Sequence, residues 1–134
     1  MSHVSTFVMF QGQAQQAIDL YSELFAGFQV QQLLHFDERD GGPRRIKQAT
    51  IDFDRHNLVF IDSPVSHDFS FTPAVSLHVN LATEAELERI FARLAEGGEV
   101  LMPIDDYGFS ARFGWLNDRF GLSWQLNVPA GDAG

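Results

Sequence analysis

His78, Asn80, Gln125 and Asn127 are the side chains whose types and spacing could hold a small polar molecule. His78 alternates with Ser76 and Asn80, while Val75, Leu77 and Val79 fill the intervening positions. Strand alternation puts the three polar groups on one face and the apolar ones on the other. Imidazole suits proton transfer near neutral pH, yet no acid or nucleophile stands beside His78 at a telling spacing. It is therefore either a structural strand histidine or a ligand contact. Gln125 and Asn127 share a face in the same way, and buried amides bond either to backbone or to a ligand. Trp115 and Trp124 both fit the sheet core or a subunit interface, with Trp115 the better candidate for a pocket wall. Phe109 stands three residues before a possible strand at Arg112. Arg112, between Phe109 and Trp115, could pair an anionic group or stack on a ring. Asp118, in Asn117-Asp118-Arg119 before Phe120-Gly121, reads as turn chemistry.

Several chemistries are missing. With no cysteine there is neither a thiol nucleophile nor a disulfide, which is compatible with a reducing compartment. No Gly-x-Ser-x-Gly elbow and no phosphate-cradling loop occur, and Gly97-Gly98 reads as a helix stop. The net charge of −9 repels phosphate backbones and anionic lipid, so neither nucleic acid nor membrane is an expected partner. The one basic cluster, Arg39, Arg44, Arg45 and Lys47, flanks Asp40-Gly41-Gly42-Pro43. That composition describes an exposed hairpin tip, or else an anion-steering rim. Neither a signal segment nor an 18-residue apolar run is visible, so a cytoplasmic protein is expected.

The elements that position these residues come as a repeated plan. A short apolar strand over Phe7–Phe10 is broken by Gln11-Gly12-Gln13. Ala14, Ala17, Ile18, Tyr21, Leu24 and Phe25 then recur at helical spacing until Gly27. Strand-like runs follow at Phe28–Phe36, Ile46–Asp54 and Asn57–Asp62, the last two separated by Arg55-His56. The second half repeats the order. It has a strand over Ala74–Asn80, a helix opened by a Thr83/Glu86 capping box, and strands over Val100–Ile104, Arg112–Leu116 and Leu122–Val128. Leu87, Ile90, Phe91 and Leu94 form the buried stripe of that helix. The prediction is one α+β domain of two tandem βαβββ modules, about residues 1–66 and 67–134, forming a concave, partly closed sheet. Sequence identity between the halves is negligible; what repeats is element order and punctuation.

Five stretches carry a resemblance: MFQGQAQQAIDLYSELF (Met9–Phe25), FSFTPAVSLHV (Phe69–Val79), LAEGGEVLMP (Leu94–Pro103), DYGFS (Asp106–Ser110) and FGWLNDRFGLSWQL (Phe113–Leu126). They resemble PhnB-like proteins of the vicinal-oxygen-chelate superfamily, which includes glyoxalases, bleomycin-resistance proteins and dioxygenases. The resemblance implies paired βαβββ modules and a homodimer. It also implies, for metal-using members, His or Glu ligands on the first and last strand of each module. Counting along the chain puts those positions at Thr6, Phe60, Ser76 and Gln125, none of which is a carboxylate or an imidazole. A two-residue slip, which keeps the face, brings in His78, Asp62, Asn80 and Asn127, with His78 and Asp62 the only fallback ligand pair. No metal and no other cofactor is therefore expected. Some family members carry a methyltransferase label, but no glycine-rich strand-to-helix turn suits a nucleotide-type methyl donor.

The expected function is metal-free binding of a small molecule in a concave cavity. The rival readings are a lyase, isomerase or dioxygenase, metal-dependent or metal-free, and a non-catalytic interaction protein whose cavity is filled by its own Phe and Trp rings.

Overall fold

The computed structural model describes residues 2–37 and 45–130. The chain divides into two compact units, Met1–Asp68 and Phe69–Gly134. The first contains β1 (Thr6–Phe10), α1 (Ala14–Leu24), β2 (Phe28–His35), β3 (Ile46–Phe53) and β4 (His56–Asp62). The second contains β5 (Ser76–Asn80), α2 (Glu84–Ala95), β6 (Glu99–Asp105), β7 (Arg112–Asn117) and β8 (Ser123–Val128). Each unit is a βαβββ module with one four-stranded mixed sheet, ordered β1-β4-β3-β2 and β5-β8-β7-β6. In each, the first strand runs parallel to the last, because a helix crosses over between the first strand and the rest.

In the first unit α1 buries Ala14, Ala17, Ile18, Leu20, Tyr21 and Leu24. Beneath it lie Phe10, Phe28 and Phe60, with the rings of Phe28 and Phe60 set 5.7 and 6.0 Å from that of Tyr21. The aromatic wealth of this half therefore fills the interface between helix and sheet. The β3–β4 hairpin turns at Asp54-Arg55, both with positive φ (49° and 75°), as the two-residue mirror-image turn requires. The turn thus lies one residue earlier than Arg55-His56, and His56 begins the strand.

In the second unit Thr83 caps α2, its Oγ1 accepting from the Glu86 N–H at 3.1 Å. Leu87, Ile90, Phe91 and Leu94 are buried, as their spacing predicts. Gly97, at φ +73°, takes the left-handed conformation that ends the helix. Gly114 lets α2 approach β7: a Cβ there would stand 2.5 Å from the Phe91 ring.

Of the basic cluster, Arg39 and Arg44 and the tip Asp40–Pro43 lie outside the described residues. Lys47 is exposed. Arg45 is turned inward, its Nη2 donating to the Ser63 carbonyl at 2.6 Å. No described helix is long and apolar enough to cross a membrane.

Candidate functional site

Each sheet has a helix-covered face and an open one, and strand register sorts every residue between them. In β8, Trp124 and Leu126 are fully buried and pair with Leu116 and Gly114 of β7, beneath α2. The alternate residues Ser123, Gln125 and Asn127 therefore lie on the open face. Their neighbours across the sheet form three rows. One is Ser76–Ser123–Asn117–Glu99, the next His78–Gln125–Trp115–Met102, and the last Asn80–Asn127–Phe113–Asp105. His78, Asn80, Trp115, Gln125 and Asn127, separated by up to 49 positions in the chain, are thus gathered on one surface.

Hydrogen bonds knit this surface. Ser76 Oγ and Ser123 Oγ are 2.6 Å apart, and Trp115 Nε1 donates to Ser123 Oγ at 2.8 Å. The indole plane of Trp115 is thereby pinned beside Gln125. Asn127 Nδ2 donates to Asn80 Oδ1 at 2.9 Å. Asn127 is only 9% exposed, yet its Oδ1 is buried with no partner, as is Asn117 Oδ1. An unsatisfied buried acceptor carries a penalty of about 1–3 kcal/mol, so both oxygens are prepared to take a donor. His78 is exposed and Gln125 half-buried, so the middle row is open to solvent.

Two expected contacts lie elsewhere. Arg112 pairs with Val128, on the helix side, and its Nε stands 3.6 Å from Glu84 Oε2 of α2. Phe109 belongs to the loop before β7, 60% exposed, and packs edge-on against Phe113 with ring centroids 5.0 Å apart. It rims the third row and contributes no polar group.

Asp62, the fallback metal ligand, has a different task. It is fully buried, and its Oδ1 accepts from the Gly12 and Ala14 N–H groups at 2.8 and 3.0 Å. Its Oδ2 accepts from the Ile46 N–H at 2.8 Å. The carboxylate caps α1, whose own N-cap residue Gln13 makes no side-chain bond. Asp118 is its counterpart in the second unit: Oδ1 accepts from Phe120 N and Leu122 N, and Oδ2 from Trp124 Nε1 at 2.9 Å. Turn chemistry is indeed its role, with anchoring of the buried indole added to it.

The metal positions counted along the chain also need correction. Phe60 and Thr6 lie on the helix-covered face of the first sheet, in line with Val8 and Leu58, whereas Ser76 and Gln125 lie on the open face of the second. The correspondence was displaced by an odd number of residues, which exchanges faces. The open-face residues of the four strands are instead Phe7 and Met9, Asn57, Val59 and Ile61, Ser76, His78 and Asn80, and Ser123, Gln125 and Asn127. They include one imidazole and no carboxylate. A divalent ion needs three or more donors with compensating charge, and neither unit's open face supplies them from these strands. Among the described residues no group of three His, Cys, Asp or Glu side chains could hold a metal.

Sequence reasoning left Asn117, Phe113 and Ser123 off this surface. The signal was available: once Trp124 and Leu126 are placed in the core, the alternation in β7 and β8 puts all three on the opposite face.

Comparison with known proteins adds a family to this geometry. The family model described as 3-demethylubiquinone-9 3-methyltransferase matches residues 2–127. A PhnB protein from Bacillus cereus is 41% identical over 95% of this chain and 99% of its own, with a TM-score of 0.88. A protein from Pseudomonas aeruginosa is 27% identical over 98% of this chain and 100% of its own, with a TM-score of 0.83. At fold level, a glyoxylase/bleomycin resistance protein/dioxygenase domain from Frankia sp. is 14% identical over 100% of this chain and 95% of its own, TM-score 0.66. No curated protein matches the chain.

Proposed function

The chain belongs to the 3-demethylubiquinone-9 3-methyltransferase family, PhnB-like proteins with the glyoxalase/bleomycin-resistance fold, and from that premise we propose that its second sheet binds a small organic molecule without a metal. The observation that carries this reading is the open row His78–Gln125–Trp115. It presents an imidazole, an amide and a pinned indole side by side, which is what a pocket wall needs to stack a flat molecule and hydrogen-bond its edge. Tryptophan fluorescence tests it. A small aromatic probe should quench emission saturably in the presence of EDTA, and Trp115→Phe should abolish the response. Because Trp124 is fully buried, quenching that survives Trp115→Phe contradicts the site.

The competing readings have less support. A metal-dependent lyase or dioxygenase would need Asp62 and His78 as ligands, but both carboxylate oxygens of Asp62 already serve backbone N–H groups. The methyl-transfer chemistry in the family description requires a methyl-donor site. The amides at the start of α1 are engaged by Asp62, and Glu86 N at the start of α2 by Thr83, leaving those groups no free role with a donor's anionic groups. The rings of Phe10, Phe28 and Phe60 pack beneath α1, which argues against an open face plugged by the chain's own aromatics. A metal-free enzyme is the second reading, favoured by the exposed imidazole of His78 beside Gln125. His78→Gln would then remove turnover while preserving probe binding.

The proposal includes a homodimer in the cytoplasm. The open face of the first sheet supports self-association, since Phe7 is 63% exposed in line with Val59, and Met9 with Ile61. Sedimentation should give twice the chain mass, and a monomer at micromolar concentration contradicts it.

A further inference from the structure

The charges around the open face of the second sheet say which molecules it can accept. We propose, resting on the reading above, that its ligand is a flat aromatic molecule bringing N–H donors and no negative charge. Three observations point the same way. The face itself holds no Lys or Arg among the described residues. The arginine that opens β7 and the one just after it are committed to carboxylates elsewhere: Arg112 to Glu84 at 3.6 Å, and Arg119 to Glu96 at 3.5 Å. The charged residues that do sit in its rows are acids, the exposed Glu99 and Asp105 on the β6 edge.

The polar groups ask for donors as well. Asn127 is nine-tenths buried, with an unpartnered Oδ1 on this face, and Asn117 Oδ1 is unpartnered one row beyond Trp115. Both are acceptors, and the acids at the edge accept too. A bound anion would meet acceptors and acids with no cation to offset its lost hydration, in a chain whose net charge is already −9. An amide or amidine edge would supply the donors these oxygens lack. Its ring would lie against Trp115, where a cationic group also gains from the indole face.

The test is a matched series titrated into the full chain with EDTA and followed by tryptophan fluorescence: benzamidine, benzamide, benzoate and phenylphosphonate. Benzamidine and benzamide are expected to bind at least tenfold more tightly than either anion, with the signal lost in Trp115→Phe. Chemical shifts of the Trp115 indole and the Gln125 side-chain amide in ¹⁵N-labelled protein give the same ranking without any substitution. Benzoate or phenylphosphonate binding as tightly as benzamidine, at these same groups, overturns the ligand class but leaves the metal-free site standing. No response to any of the four, or a response confined to other residues, overturns both.

Discussion

Asp62 and Asp118 are buried carboxylates that each hold three N–H groups, and they show how far a residue's neighbours in space differ from its neighbours in sequence. Asp118 was legible as turn chemistry because two of its partners, Phe120 and Leu122, lie within four residues. Asp62 was not, because Gly12, Ala14 and Ile46 come from two other segments, and a strand-end acid looks like a metal ligand. Asp62→Asn should lower stability by about 1.5–3 kcal/mol, the range for hydrogen bonds to a charged group, because the new amide cannot accept from all three donors. Urea denaturation would show this as a lower midpoint. Exposed Asp54→Asn should leave the midpoint nearly unchanged. The open-face residues of the second sheet were half legible. His78, Asn80, Gln125 and Asn127 declare their face by alternation within each strand, but only the register of β7 against β8 separates Trp115 from Arg112.

At the scale of elements, periodicity and punctuation carried most of the information. The Thr83 cap, both helical stripes and the eight strands appear within a residue or two of their predicted bounds, while among the described residues no bond from the Glu86 side chain completes the box. The correspondence between modules failed because spacing between punctuation marks does not fix strand parity, and an odd slip turns every side chain over. Two substitutions test what holds the elements. Thr83→Ala should destabilise by about 1 kcal/mol through loss of the α2 cap. Gly114→Ala should destabilise by about 1–3 kcal/mol, because the added methyl overpacks against Phe91 and Ile104. If thermal unfolding of Gly114→Ala matches that of the parent, the close approach of α2 to β7 is not required for stability.

For the whole molecule, the family was visible in the sequence through motifs that the structure uses to build its two units. In Phe113–Leu126, the most specific stretch, Gly114, Asp118 and Trp124 build the second unit, and Trp115 and Gln125 face outward from it. On the open faces of β1 and β4 in the first unit there is no imidazole or carboxylate, and on those of β5 and β8 in the second there is one imidazole and no carboxylate. Under the proposed function, the open face of the second sheet recognises a small molecule unaided. That recognition is tested most directly by ¹⁵N spectra of EDTA-stripped protein titrated with benzamidine, then with manganese(II). Benzamidine is expected to shift the Trp115 indole and the Gln125 and Asn127 amides before any metal is added, and stoichiometric manganese(II) should neither enhance the response nor broaden those signals selectively. A response that appears only once one equivalent of metal is bound would contradict the proposed function.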